Sequence, residues 1–417
     1  MKTYTSYTRK LILLGLLFIS TASAYSQQAN NKQLLTRVKA DTAATHLNMD
    51  ATYNRPFLKS KKIPVAIGGY LEANSIYSVE DGVYEGLSFQ ARRMTLFMSS
   101  TISKRIKFLS EIEFEDGTKE IAIEFAAVDV ALHAALNLRG GIIMNPIGGF
   151  NQNHDGPKWE FVERPSVASQ MLPATWSNAG FGIYGKTYKK NWVLGYEAYL
   201  TNGFNNSIIN NEENKTFLPA AKDDEERFEE SNNGKAFFTG KLALKNRRYG
   251  EVGLSYMGGV YNKFESGGVV LDEERKLHIF AIDFNTTIKK TGTYIVSEYA
   301  FVSIDVPETY TQQYGNKQQG FFIDIVQPIL KRKVLDWENA SLNLAVRMDY
   351  VDWNIGTFNE TNTNIGDDLW AITPAISFRP TSQSVFRLNY RYQWQRDILA
   401  NPAAMQASWL FGFSTYF

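Results

Sequence analysis

The chain has 417 residues, 44% hydrophobic, 14% aromatic and 21% charged, with a formal net charge of +1 and no cysteine. Without cysteine there is no disulfide, Cys-ligated zinc, iron–sulfur cluster, thiol nucleophile or lipidated cysteine, and the near-zero charge argues against nucleic acid as a partner. The aromatic load of 27 Phe, 22 Tyr and 8 Trp stands beside a mean hydropathy of −0.28, too polar for a helical membrane protein.

At the N-terminus, Lys2, Arg9 and Lys10 precede an apolar run over 11–19, and Ala22-Ser23-Ala24 follows as a small-residue cleavage signal. The pattern predicts a secretory signal peptide over 1–24; the run is far shorter than the roughly 20 residues a helix needs to cross a bilayer. Residues 25–62 are polar and mixed in charge with no sustained period, which predicts a flexible or weakly helical leader. From 63 to 417 the chain becomes segments of alternating apolar and polar residues, separated by Gly, Asn, Asp, Lys and Pro clusters. Strands are expected near 64–78, 88–101, 104–115, 120–132, 135–143, 178–187, 191–202, 235–244, 249–260, 276–288, 293–304, 318–330, 340–353, 367–379, 384–396 and 403–417.

The clearest segment sets Phe386, Leu388, Tyr390, Tyr392 and Trp394 against Arg387, Asn389, Arg391, Gln393 and Gln395. Successive side chains of a strand point to opposite sides, so one face is apolar and the other wet. A soluble sandwich also alternates in this way. Two features favour a transmembrane antiparallel β-barrel of about sixteen strands: aromatics at segment ends (Trp192, Tyr249, Tyr294, Trp353, Trp370, Trp394, Trp409), and connections that alternate between short and long. Pro374 inside a strand is a misfit that a bulge or a lipid-facing position absorbs. Phe417, preceded by aromatics at alternate positions, matches the C-terminal signal of outer-membrane assembly.

Chemistry is sparse. The four histidines, His46, His133, His154 and His278, form no HExxH or metal-ligand spacing, and no GxSxG elbow, P-loop or GxGxxG follows a strand. His154 with Asp155 is the one pair suited to catalysis at a barrel rim, and it reads as a solvated loop pair. No enzyme activity, cofactor or metal site is expected. A sixteen-stranded barrel is wide enough for an aqueous passage.

The stretches ARRMTLFMSSTISKRIKFLSEIEFE (Ala91 to Glu115) and LNLRGGIIMNPIGGFNQNHDGPKWEFVERP (Leu136 to Pro165) resemble the phosphate-selective porin O and P family. The likeness rests on a double-arginine strand, a hairpin ending in acidic residues, an R-G-x-x-x-x-x-P-x-G strand end and an E-R-P loop. It implies a trimer of sixteen-stranded porins, with a long third loop folded inward to narrow the channel and arginines guiding anions. Met144 to Ser177 is where that constriction would lie, with Lys158, Trp159 and Arg164 as its candidate residues or, equally, as residues that pack the loop to the wall. The family often carries a basic residue before the loop proline; here Met144 and Asn145 precede Pro146.

On the face assignment, the lumen holds Lys107, Arg139, Lys241, Arg347, Arg387 and Arg391 against Glu111, Glu113, Glu197, Asp283, Asp324 and Asp349. That balance does not make an anion filter, which needs one sign to dominate. The arginines either line the pore or pair with Asp349 and its neighbours in structural networks. Short turns are basic (Lys331-Arg332-Lys333 among them) and long loops acidic, a bias that suits anionic headgroups or, alternatively, an inner mouth attractive to anions. The sequence therefore predicts an outer-membrane porin of a Gram-negative-type bacterium. It would sit in outer-membrane lipid and pass small hydrophilic solutes, phosphate or other anions among them. The alternative is a channel-blocked barrel that binds or anchors through its long loops.

Overall fold

A computed structural model describes residues 45–59, 65–117, 119–213, 215–222, 225–307, 314–358 and 361–417. The predicted signal peptide and most of the leader lie outside the described residues. The alternating segments form sixteen long strands, β1 (Val65–Glu80), β2 (Val83–Thr101), β3 (Ile106–Glu115), β4 (Glu120–His133), β5 (Leu136–Met144), β6 (Ser177–Lys189), β7 (Trp192–Thr201) and β8 (Phe237–Asn246), then β9 (Gly250–Val260), β10 (Lys276–Thr287), β11 (Tyr294–Ile304), β12 (Lys317–Val334), β13 (Trp337–Asp352), β14 (Asp368–Thr381), β15 (Ser384–Gln395) and β16 (Ala404–Tyr416). Each pairs antiparallel with its neighbours in sequence, and β16 pairs with β1 from Gln406↔Glu80 to Tyr416↔Tyr70. The wall is a closed ring, so its backbone N–H and C=O groups bond within it. That is the condition for strands to cross lipid. Among the described residues, no helix is long and apolar enough to cross a membrane.

The two faces of each strand separate as the alternation requires. Outward residues such as Phe181, Leu242 and Phe411 are 75%, 59% and 52% exposed, while the inward Arg347, Arg387 and Asp349 are 1%, 1% and 0% exposed. Pro374 lies on the outward face of β14 opposite Val346, and the β14–β15 register is the same before and after it. Trp192, Tyr249 and Trp409 are exposed, as an interfacial belt needs. Tyr294 and Trp353 correct that expectation: Tyr294 turns inward to Glu160, and Trp353 is buried in the core.

The rhythm of short and long connections is also less strict than expected. β1 and β2 run on to a two-residue turn, Asp81-Gly82, with φ of 47° and 85°. Both central residues of a tight type I′ hairpin take positive φ, which Asp-Gly tolerates. A bulge at Gly86 (φ 109°) shifts the register by one residue, from Ser78↔Gly86 to Val79↔Tyr84. Lys331, Arg332 and Lys333, expected in a turn, lie on the exposed end of β12, and the turn itself is Leu335-Asp336.

Residues 145–176, the third connection at the long-loop end, fold into the barrel. Ile147, Phe150, Val167, Met171 and Trp176 pack with the inward Met257, Ile279, Val302, Phe322 and Val351 in one buried cluster. Burying these apolar side chains against the inner wall holds the loop across the lumen.

Candidate functional site

Among the described residues, the third loop and a strap, Leu47–Phe57, lie across the lumen, and Ile208, Leu218 and Ala221 of the next long loop pack into the third loop's cluster. The strap follows the inner wall. Leu47 and Met49 pack with Val193 and Ala243, and the Asn48 amide nitrogen donates to Asp283 (2.8 Å) while its backbone N–H donates to Glu251 (2.9 Å). Further on, Lys186 Nζ lies 2.8 Å from Asp50 Oδ2. Tyr53 donates to Asp129 and accepts from Arg139 (2.6 Å). Phe57 meets Phe97 edge-on at 6.2 Å.

Arg55 joins strap, loop and wall. Its side chain has no solvent exposure, donating to Glu111 of β3 (2.8 Å) and, through Nε, to Asp155 of the loop (3.0 Å). Tyr416 of β16 donates to the same Asp155 at 2.7 Å, and Lys158 Nζ lies 3.1 Å away. Burial pushes the Asp155 carboxyl up, but Arg55, Lys158 and His154 outweigh it and hold the group well below the ordinary aspartate range. The pair His154 and Asp155, expected to be solvated, is therefore corrected: both are buried, with His154 Nε2 3.1 Å from Glu111.

Every inward arginine named from the sequence meets a carboxylate. Arg139 donates to Asp129 (2.9 Å) and lies 3.5 Å from Glu197. Arg347 makes two bonds of 2.7 Å to Asp324 and one of 2.7 Å to the Glu163 carbonyl. Arg387 donates to Glu72 and to the Phe161 carbonyl, each at 2.7 Å, and Arg391 to Asp349 and the Ser166 hydroxyl, each at 3.0 Å. Lys241 pairs with Asp283 and donates to the Gly148 carbonyl at 2.6 Å. Buried charges need both an opposite charge and filled hydrogen bonds; the loop's backbone supplies the second for Arg347, Arg387 and Lys241, the Ser166 hydroxyl for Arg391, and the Tyr53 and Tyr199 hydroxyls for Arg139. Lys107 also faces inward but stands exposed at the short-turn end.

Glu111, Glu113 and His154 bring ligand atoms within 4.8 Å of one another. Arg55, Arg93 and Arg164 already face these carboxylates, at 2.8, 3.4 and 3.6 Å. The cluster is thus arranged as an ion-pair network.

The candidate constriction residues lie on either side of the loop. Lys158 and Trp159 line a cavity of about 280 Å³ toward the short turns, beside Asn48, Asn285 and Tyr294. Arg164 lines another of about 400 Å³ toward the long loops, with Arg92, Arg93, Glu115 and Lys222. Trp159 Nε1 donates to the Asn153 carbonyl (2.7 Å), and its ring packs on Phe150 and Phe322. Sequence reasoning missed Tyr53 and Arg55, which sit in a polar stretch without period. It also missed Glu72, which the alternation of β1 places inward, and Glu298, which accepts from the N–H groups of Gly149 and Phe150.

No family model matches the chain. An uncharacterized protein of Aquifex aeolicus (strain VF5) is 25% identical over 364 residues, 83% of this chain and 80% of that protein. Among solved structures, the anion-selective porin from Comamonas acidovorans is similar with a TM-score of 0.53 at 10% identity, covering 85% of this chain and 99% of that one. The fold is that of outer-membrane porins. Pseudomonas putida OprB (TM-score 0.51, 10% identity, 85% and 94% covered) and Salmonella typhi OmpF (0.51, 8%, 87% and 100%) share it. The closed barrel and its porin-like fold place the chain in the outer membrane of a Gram-negative-type bacterium.

Proposed function

We propose that the chain is a porin passing small hydrophilic solutes by passive diffusion between the long-loop and short-turn ends of the barrel. The observation that carries this reading is the third loop folded across a charged lumen, with a cavity on each side of it. Lys158, Trp159 and Arg164 are the constriction residues in this reading, and Arg139, Lys241, Arg347, Arg387 and Arg391 form the inner wall with Glu111, Glu113 and Asp349. The motifs over 91–165 support anions, phosphate among them, as cargo, and a homotrimer as the assembly; no cofactor enters.

A second reading is a barrel blocked from within that serves as a surface binding or anchoring protein. It draws support from the burial of the inward charges beneath loop and strap. Purified protein in a planar bilayer separates the two. Unitary current steps are expected; silence from protein whose heat-dependent gel mobility shows a folded barrel would overturn the channel and favour the blocked form.

A further inference from the structure

We propose that the cavity on the short-turn side of the third loop binds a neutral, polyhydroxylated solute of monosaccharide size. The assignment rests on the channel reading for how such a solute reaches the cavity. At about 280 Å³, the space is at the small end of ligand-sized clefts.

One side of it is aromatic. Trp159 is the ring that faces the cavity, partly exposed there and backed by the buried Phe150 and Phe322 at centroid distances of 4.9 and 6.2 Å. Rings of this kind offer a large rigid face for C–H groups. The other side is amide and carboxylate: Asn48 from the strap, Asn153 from the loop, and Asp283 and Asn285 from β10.

Charge decides the class of ligand. Asp283 is paired with Lys241 and accepts from Asn48. Glu298 accepts the Gly149 and Phe150 N–H groups at 2.8 and 2.9 Å. Lys158, the one cation lining the cavity among the described residues, is held by Asp155 at 3.1 Å. An anion would find no uncompensated positive group there and would face two carboxylates, so its desolvation would go unrepaid. The amide oxygens of Asn153 and Asn285, by contrast, have no hydrogen-bond partner among the described residues, since only their nitrogens are engaged. They are acceptors waiting for hydroxyl donors beside a ring surface suited to C–H groups. A sugar-like polyol presents both.

Ligand-observed NMR of the detergent-solubilised full chain with D-glucose tests the site without requiring conduction. Saturable binding is expected, with half-saturation raised about tenfold in Trp159→Ala, equivalent to about 1.4 kcal/mol, and partly restored in Trp159→Phe. Asn285→Ala, on the wall rather than the loop, is expected to weaken binding too and serves if Trp159→Ala does not fold. Absence of saturable glucose binding, equal half-saturation in wild type and variants, or displacement of glucose by equimolar phosphate would each overturn the proposal. Current steps without glucose binding would spare the channel and remove this site; glucose binding by a silent barrel would do the reverse.

Discussion

Asp155 joins stretches of chain that lie far apart in sequence: Arg55 of the strap, Lys158 of its own loop and Tyr416 of the last strand all reach it. Its carboxyl titrates well below the ordinary range because those cations outweigh the cost of burial. A group whose folded pKa is depressed contributes stability that is fully present above its unfolded pKa of about 3.9 and is lost as the pH falls toward the folded value. Asp155→Asn should therefore be less heat-stable than the wild type near neutrality, and the gap should narrow as pH falls from about 5 to about 2. Unfolding temperatures read from gel mobility check this; a gap independent of pH would show that the charge of Asp155 is not what seats the loop. The sequence pointed to His154 and Asp155 as a pair but put them in water. Their partners are Glu111 and an arginine 100 residues upstream, and no local pattern signals that approach.

Strands were legible almost throughout, because lipid outside and charge inside force a period of two on each segment. Alternation carries no information on turn chemistry that lengthens a strand, so the β1–β2 hairpin was shortened at its Asp81-Gly82 tip. It also says nothing of a segment that crosses the lumen as irregular chain. Leu47–Phe57 is such a segment. Its contacts run from Phe97 on β2 through β3, β4, β6, β7, β8 and β9 to Asn285 on β10, and Arg55 and Asn48 also bind the third loop. Deleting residues 47–57 should widen the open section at the short-turn end and release the loop. Unitary conductance is expected to rise by about twofold or more, as current scales with open cross-section. Unchanged conductance and unchanged current noise in planar bilayers would show that the strap lies outside the path of ions.

Across the whole molecule, 44 basic and 43 acidic side chains leave a net charge of +1, and within the barrel the buried inward cations Arg139, Lys241, Arg347, Arg387 and Arg391 are matched by carboxylates. The inner wall therefore presents little net field to a passing ion. In a salt gradient the reversal potential should lie close to zero. Neutralising Lys331, Arg332 and Lys333 together should barely move it, because these side chains are exposed at the barrel end and screened within about 10 Å at 0.1 M salt. A strong anion preference abolished by that triple substitution would instead make the basic end of β12 the selectivity element. The near-balance of inward charge was readable from strand faces alone. That the charges are covered was not, since covering depends on how a loop of 32 residues, 145–176, folds back against five distant strands.

The pairing of β16 with β1 joins residues more than 300 positions apart, as between Glu80 and Gln406. Contacts of such sequence separation are closed late, after the loop-closure entropy of the intervening chain has been met. Until then the nascent sheet has two unpaired margins and an outer surface of bare hydrocarbon and aromatic side chains, both prone to aggregate in water. Excising any internal hairpin would still permit a smaller cylinder, whereas losing a single strand would leave the sheet with an odd count and no antiparallel seam.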